Sequence, residues 1–317
     1  MNRTFLSKNV AQCLSLLMAT QCFVGCIANA IVLLYFIRNK RHFQNTADKL
    51  ILHLAVTDFI ALSTYVPWRS YLLMIRTSTT DYKFYTSLFV FCIFLTGSAV
   101  LLIAFDRFVA LIRPLRYKGL ITSKVFWISV KTSWICAFLL GVFHYFSYDF
   151  RVHDEYEVFL SSLSFLQLIL MAVIYTFLLK STANLGRKMC GESVSFNVKQ
   201  SALTVKTIRM TFVIVCLFYA TFTPYTVYRI VSTADESMSN HEKNGTWRWL
   251  IAFTFLNSCI NPFVYFYRMK KYRHRLCISC FGMQHDHGER NHENFRNNIT
   301  HLVVEANVGN ERLLASR

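Results

Sequence analysis

Charged residues, glycine and proline are all scarce in this chain of 317 residues. Charged residues make up 16% of it, against about 25% in soluble globular proteins. Ten glycines and four prolines exclude a collagen-like repeat, and a hydrophobic fraction of 54% excludes a largely disordered chain. The apolar residues stand in long blocks with few charges inside them. This pattern is typical of a membrane protein and argues against a soluble enzyme.

Acidic residues are also few, with 17 of them against 34 lysines and arginines, which gives a net charge of +17. Such an excess indicates either nucleic-acid binding or a membrane protein with a basic cytoplasmic face. The basic residues follow the ends of the apolar blocks rather than one soluble face, so we expect no nucleic-acid partner. The ten cysteines lie mostly inside apolar blocks and do not describe an extracellular disulfide framework.

A membrane-spanning helix needs about 20 apolar residues, because each residue advances about 1.5 Å across about 30 Å of hydrocarbon. Seven segments meet this requirement, predicted at 10–37, 47–75, 82–112, 123–146, 157–180, 206–232 and 246–267. The first is too long for the apolar core of a secretory signal, so we interpret it as a retained span. The predicted fold class is an all-α membrane protein, a seven-transmembrane helix bundle.

The connecting segments differ in charge between the two sides of this bundle. Lysine and arginine concentrate in the loops after the first, third and fifth spans and in the segment after the seventh. Because cytoplasmic loops carry the excess of basic residues, the N-terminus is predicted outside. The predicted regions are a short extracellular N-terminus (1–9), the bundle (10–267), a short amphipathic eighth helix on the cytoplasmic face (268–280) and a disordered cytoplasmic tail (281–317).

Sites of covalent modification are predicted outside the spans. Cys277 and Cys280 follow the amphipathic helix, where palmitoyl chains could enter the membrane lipid, although plain reduced thiols explain them equally well. Asn2 and Asn244 begin Asn-x-Thr sequons on the predicted outer side and could carry glycan. Asn298 begins another in the inner tail, and we expect it to stay bare.

Few polar side chains interrupt the spans, and each is costly enough inside a membrane to indicate function. Hydrogen bonds between helices account for Asn29 in the first span. Asp58 in the second span is harder to explain in that way, because an ionised carboxylate in the membrane needs a partner or a cation.

Several short motifs fall in order along these spans. They are Gly25-Cys26-Ile27-Ala28-Asn29 in the first, Leu54-Ala55-Val56-Thr57-Asp58 in the second, Asp106-Arg107-Phe108 ending the third, Trp134 in the fourth, Tyr175 in the fifth, and Asn257-Ser258-Cys259-Ile260-Asn261-Pro262-Phe263-Val264-Tyr265 in the seventh. Each motif alone is a weak signal. In this order and on these spans, they resemble a rhodopsin-like (class A) G protein-coupled receptor across nearly the whole chain.

The resemblance implies a plasma-membrane receptor that senses an extracellular ligand and activates a heterotrimeric G protein. Arg107 would contact the G protein, and Asp106 would hold Arg107 at rest. The other implied sites are an activation switch (Tyr175, Tyr265, Asn261, Pro262), a relay (Phe218, Phe222, Pro224) and an allosteric sodium site (Asp58, Thr96, Asn257, Ser258, Asn261). No cofactor is required, and this sodium ion would act only as an allosteric ligand.

The sequence departs from the family pattern at several places. Phe222 replaces the usual tryptophan of the sixth span, and Gln167 stands where the fifth span usually has proline. Tyr82 replaces the cysteine of the usual outer disulfide. Thr204 stands where an acid often holds the third-span arginine, so we expect a weakly restrained resting state. These departures resemble the melanocortin, cannabinoid and lysophospholipid branch, whereas the seventh-span motif is closer to adenosine-like or amine-like receptors, and the branch stays open.

Single positions in the predicted pocket bear on the ligand class. Phe255 stands where opsins need a lysine, so we expect no retinal, and Phe89 stands where amine receptors have aspartate, so we expect no simple biogenic amine. Arg69 and Arg229, with Tyr225 nearby, suit a negatively charged ligand. The competing interpretation is that both arginines reach lipid headgroups or pair with loop acids.

The alternatives to a receptor are a transporter or channel, a membrane protein without a signalling role, and an intramembrane enzyme. A transporter would carry charged or unwound sites in two matched halves, and the sequence has no such repeat. His53 and Asp58 share one span without a nucleophile motif. We therefore expect no enzyme activity.

Overall fold

The computed structural model of the protein describes residues 7–38, 45–75, 82–189, 196–234 and 240–268. Within these residues the chain forms α-helices and short turns, with no strand. The helices are α1 (Lys8–Arg38), α2 (Thr46–Ile75), α3 (Tyr82–Ile112), α4 (Tyr117–Leu120), α5 (Ser123–Ser147), α6 (His153–Met189), α7 (Phe196–Ala234), α8 (Asn240–Thr254) and α9 (Leu256–Arg268). The predicted eighth helix and tail lie outside the described residues, as do Asn2, Cys277 and Cys280.

Seven helical segments in the described part of the chain are long and apolar enough to cross a membrane. They are α1, α2, α3, α5, α6, α7, and the pair α8 and α9, which together form the seventh span. The short α4 lies in the connection between the third and fourth spans. The all-α, seven-span fold class predicted from the sequence is confirmed.

The fifth span begins earlier than the sequence predicted. Helix α6 starts at His153 rather than at 157, so the connection between the fourth and fifth spans shortens to residues 148–152. Asp154 and Glu155 lie in the first turn of α6, where the helix dipole favours negative charge. These charges end the apolar run, but they do not end the helix, because a helix that extends beyond the hydrocarbon can be polar.

The seventh span, Gly245–Tyr267, agrees with the prediction, but its helix begins earlier and is interrupted. Helix α8 begins at Asn240, so Asn244 lies inside a helix rather than in the loop before it. Helix α8 ends at Thr254 and α9 begins at Leu256, with the interruption at Phe255. The Thr254 hydroxyl donates back to the main-chain oxygen of Leu250 at 2.8 Å, which satisfies one carbonyl at the end of α8.

Helix α3 lies among the other spans and packs against α2, α5, α6 and α7. A Cβ atom added at Gly141 would lie 3.1 Å from the main-chain oxygen of Ser87, so this glycine lets α5 approach α3 closely. A Cβ atom added at Gly97 would collide with the amide of Gln167. Gln167, which stands in the family's proline position, therefore packs on α3, and α6 continues through it as one helix.

Candidate functional site

The C-terminal end of the third span holds a buried ion pair. Arg107 Nη2 lies 2.5 Å from Asp106 Oδ2, and the two side chains are 9% and 3% exposed. Tyr117, in the short helix α4, donates its hydroxyl to the other carboxylate oxygen, Asp106 Oδ1, at 2.6 Å. Asp106 thus restrains Arg107 and is itself held by the loop that follows.

Tyr117 was not singled out from the sequence, because its partner is set by the packing of α4 against α3. Burial, together with the negative charge of Asp106, raises the pKa of the Tyr117 hydroxyl well above its usual range. The hydroxyl therefore stays protonated and donates to Asp106 at any physiological pH. A tyrosine ten positions after the arginine was the sequence signal that could have identified it.

The two tyrosines assigned to the activation switch are buried. Tyr175 on α6 is 3% exposed and Tyr265 on α9 is 0% exposed. Neither hydroxyl forms a hydrogen bond to Arg107 in this arrangement. Asn261 and Pro262, the other switch positions, lie one turn before Tyr265 on the same helix.

Asp58 is the centre of a polar cluster in the middle of the bundle. It is completely buried. Its Oδ1 accepts from the Ser258 hydroxyl at 2.7 Å, and its Oδ2 accepts from Asn261 Nδ2 at 2.8 Å. The structure therefore brings together three of the residues predicted for the sodium site.

The other two predicted residues line a small cavity beside this cluster. Thr96 and Asn257 border it together with Ser258, and it offers about 10 Å³ to the centre of a water-sized sphere. Neither the oxygen nor the nitrogen of the Asn257 side-chain amide has a partner among the described residues. Such a volume holds about one water or ion.

A chain of aromatic rings leads from this central cavity to Phe89 of α3. Phe218 and Phe222 both border the central cavity, with ring centroids 4.9 Å apart. Phe222 stacks on Tyr225 at 5.8 Å, and Tyr225 meets Phe89 of α3 at 5.4 Å. Pro224, the third predicted relay residue, lies inside α7 between Phe222 and Tyr225.

A second cavity, here called the outer cavity, opens between α3, α5, α6, α7 and α8. Its volume, measured as for the central cavity, is about 220 Å³. Phe89, Tyr225 and Arg229, which the sequence assigned to a pocket, line it together with Trp247. Its wall mixes aromatic rings with charged and hydroxyl groups, as in cavities that bind a small ligand in one orientation.

The other two predicted pocket residues are not part of the lining of the outer cavity. Phe255 stacks on Tyr65, with ring centroids 5.1 Å apart. Arg69 is 9% exposed and lies with its guanidinium 5.1 Å from the ring centre of Tyr85, where its Nε has no hydrogen-bond partner among the described residues.

Arg229 has a partner that sequence reasoning missed. Its guanidinium forms an ion pair with Glu157 of α6 and lies 4.5 Å from the ring centre of Trp247. The sequence placed Glu157 at the boundary of an outer loop, and no local signal connects it to a residue 72 positions later. His144 and His153 approach the same carboxylate, and they were not anticipated either.

Comparison with known proteins agrees with this arrangement. The family described as "7 transmembrane receptor (rhodopsin family)" matches residues 28–265. The chain is 21% identical to the adenosine receptor A3 of Canis lupus familiaris, over 78% of this chain and 84% of that one. It is 26% identical to the C-C chemokine receptor type 1 of Macaca fascicularis, over 83% of this chain and 78% of that one. It is 25% identical to the trace amine-associated receptor 365 of Petromyzon marinus, over 76% of this chain and 71% of that one. The chain therefore belongs to the rhodopsin family of seven-transmembrane receptors and is a G protein-coupled receptor, in a family of receptors rather than enzymes.

Proposed function

We propose that this receptor acts at the plasma membrane, where a ligand in the outer cavity drives Arg107 from its resting partner toward a G protein. The observation that carries the proposal is a chain of contacts that leads from the outer cavity toward the end of the bundle that holds Arg107. The aromatic chain from Phe89 to Phe218 leads from the outer cavity to the middle of the bundle. At the inner end, Asp106 holds Arg107. A ligand that prefers the arrangement without this ion pair shifts the equilibrium toward it.

The test is guanine-nucleotide exchange on a heterotrimeric G protein by the purified receptor in lipid discs. The wild type should give a basal rate above that of empty discs, and Arg107→Ala should remove it. Asp106→Asn should raise the rate, because a neutral amide holds the guanidinium more weakly. Equal rates for empty discs, wild type and both variants, across the main G protein classes, would overturn the proposal.

A sodium ion beside Asp58 fits the central cluster. Ser258 donates to the Asp58 carboxylate. Ser258, Thr96 and Asn257 line the cavity beside it and carry side-chain oxygens, the type of donor that hard cations prefer. The unpartnered amide of Asn257 indicates room for a further partner. Ser258 and Asn261 orient the carboxylate, and a cation would supply positive charge that opposes the opening of the bundle.

The sodium proposal is tested by replacing sodium with a bulky organic cation at constant ionic strength. Basal nucleotide exchange should rise in wild type, because sodium binds the resting arrangement more tightly than the active one, with an allosteric coupling of about 1–3 kcal/mol. Asp58→Asn should no longer respond, because it lacks the charge that binds the ion. If wild type ignores sodium as completely as Asp58→Asn does, Asp58 is a protonated packing residue instead.

The ligand class is not transferable from the relatives, whose names refer to adenosine, chemokines and trace amines. The outer cavity itself supports a small ligand with an anionic group. Arg229 lies on its wall and can exchange Glu157 for a carboxylate or phosphate of the ligand. Phe89 leaves no acid on α3 at the position that would pair with a simple amine.

A further inference from the structure

Three side chains on the wall of the outer cavity direct their metal-binding atoms at one point. His144 Nε2 lies 3.1 Å from Glu157 Oε1, and His153 Nε2 lies 3.7 Å from the same oxygen. One ligand atom from each of the three residues lies within 4.8 Å of the others. His144 is on α5 and the other two are one turn apart on α6, so the bundle, and not a local motif, assembles them.

The hydrogen bonds behind the two imidazoles determine which nitrogen faces Glu157 without a proton. Ser87 donates its hydroxyl to the main-chain oxygen of Lys83 at 2.6 Å, so its oxygen accepts from His144 Nδ1 at 3.0 Å. Ser147 likewise donates to the main-chain oxygen of His144 at 2.8 Å and accepts from His153 Nδ1 at 3.2 Å. In the neutral rings, both Nε2 lone pairs then point at a carboxylate oxygen.

Three lone-pair donors facing each other repel unless a proton or a metal ion lies between them. We propose that His144, His153 and Glu157 bind a zinc ion in the outer cavity. Two imidazoles and one carboxylate are a ligand set that Zn²⁺ accepts, and tetrahedral bonds of about 2.0–2.1 Å place ligand atoms about 3.3–3.4 Å apart. The observed separations of 3.1 and 3.7 Å lie on either side of that value.

The surroundings of the cluster are those of a metal site. Metal-bound histidines usually donate their second nitrogen to an oriented acceptor, as Ser87 and Ser147 provide here. The ring of His153 also stacks on Tyr148, with centroids 3.8 Å apart. The second carboxylate oxygen of Glu157 is held by Arg229, which leaves Oε1 to face the imidazoles.

The fourth coordination position faces the outer cavity, because all three ligands belong to its wall. With three protein ligands, a zinc ion keeps this position for water or for a donor group of a ligand. The ion would connect α5 to α6 and, through Glu157, to Arg229 of α7. The site thus goes beyond the proposed signalling role and can be tested without any signalling assay.

The experiment measures Zn²⁺ by isothermal titration, and Co²⁺ by its visible absorption, on the purified full chain. His285 and His287 in the tail add a background that is common to all variants. Wild type should bind one Zn²⁺ more than His153→Phe, which keeps an aromatic ring beside Tyr148 but removes the ligand. Wild type should also give the intense visible band of low-coordinate Co²⁺, and this band should be lost in His153→Phe and in Glu157→Gln.

Two further variants separate metal binding from folding. Ser147→Ala leaves all three ligands in place but removes the hydroxyl that orients His153, and the affinity for Zn²⁺ should fall about 10–100-fold. Glu155→Gln removes an exposed acid two residues from Glu157 and should bind as wild type does. The proposal is overturned if wild type and His153→Phe bind the same number of Zn²⁺ ions and neither gives the Co²⁺ band. In that case a proton on His144, rather than a metal ion, joins the imidazole to Glu157.

Discussion

Asn29 of the first span donates its side-chain amide to the main-chain oxygen of Ser258 in the seventh, at 3.0 Å. This carbonyl is the one that Pro262, four residues later, leaves without a helical N–H. The same amide donates to the main-chain oxygen of Gly25 at 2.9 Å. Asn29 therefore compensates for a proline in another helix and joins the two spans beside the Asp58 cluster.

Asn29→Ala should lower the stability of the receptor by about 1 kcal/mol, because it leaves the buried oxygen of Ser258 without a donor. The measurement is the midpoint of thermal unfolding of the purified protein in detergent. Thr20→Ala is the matched control, since Thr20 is exposed and its hydroxyl bonds within α1. Equal midpoints for the two variants would show that Asn29 does not stabilise the seventh span.

Tyr117→Phe should raise basal nucleotide exchange. The substitution keeps the ring and removes the hydrogen bond to Asp106, and a bond to a charged group contributes about 1.5–3 kcal/mol. If the bond is present only in the resting arrangement, its loss raises the active fraction by about tenfold or more, as long as the active fraction is small. Tyr71→Phe removes an exposed hydroxyl on α2 and should leave the rate unchanged. An unchanged rate in Tyr117→Phe would mean that α4 does not restrain Arg107.

Arg229→Ala should destabilise the receptor more than the double variant Arg229→Ala/Glu157→Gln. In the metal-free protein, the single change leaves the Glu157 carboxylate, which is 15% exposed, without the Arg229 guanidinium, and such a loss costs about 1–3 kcal/mol. The double variant removes the unpaired charge and should recover part of that loss. Thermal unfolding of the wild type, both single variants and the double variant gives the coupling energy. A coupling energy near zero would contradict the ion pair.

The same Arg229 variant tests the ligand class once an agonist is available. An agonist with a carboxylate or phosphate should lose about tenfold or more in potency with Arg229→Ala, because a charge-assisted hydrogen bond is lost. Arg69→Ala is the control, since Arg69 lies outside the lining of the outer cavity. Unchanged potency with Arg229→Ala would remove Arg229 from ligand recognition.

Gly25→Ala should destabilise the bundle by about 1–3 kcal/mol. A Cβ atom there would lie 2.6 Å from Leu62 Cδ1 and 2.9 Å from Cys259 Sγ, where the first span contacts the second and the seventh. Gly119→Ala in α4 is the control, because no atom outside the backbone of its own helix lies within 4 Å of its added Cβ. Thermal unfolding compares the two variants, and equal midpoints would mean that the first span shifts without cost.

The sequence by itself determined the seven spans and the polar positions within them. Twenty or so apolar residues can cross a membrane only as a helix, because every backbone group must be hydrogen-bonded within the segment. Asp58 was also evident from the sequence, because a carboxylate inside a span needs a partner or a cation whichever helices the span packs against. The order of motifs then sufficed for the family. These features are local in the chain and do not depend on which helices touch.

Only the tertiary structure decided the pairings and the exceptions to the apolar pattern. The ion pair of Glu157 with Arg229 joins residues from two helices, and periodicity within either helix contains no information on it. Hydropathy ended the fifth span at its charged first turn, whereas the helix continues because its dipole and its neighbours stabilise those charges. The orientation of His144 and His153 toward one carboxylate depends on hydroxyls of α3 and α5. Such contacts arise from packing, which brings together side chains that the sequence separates.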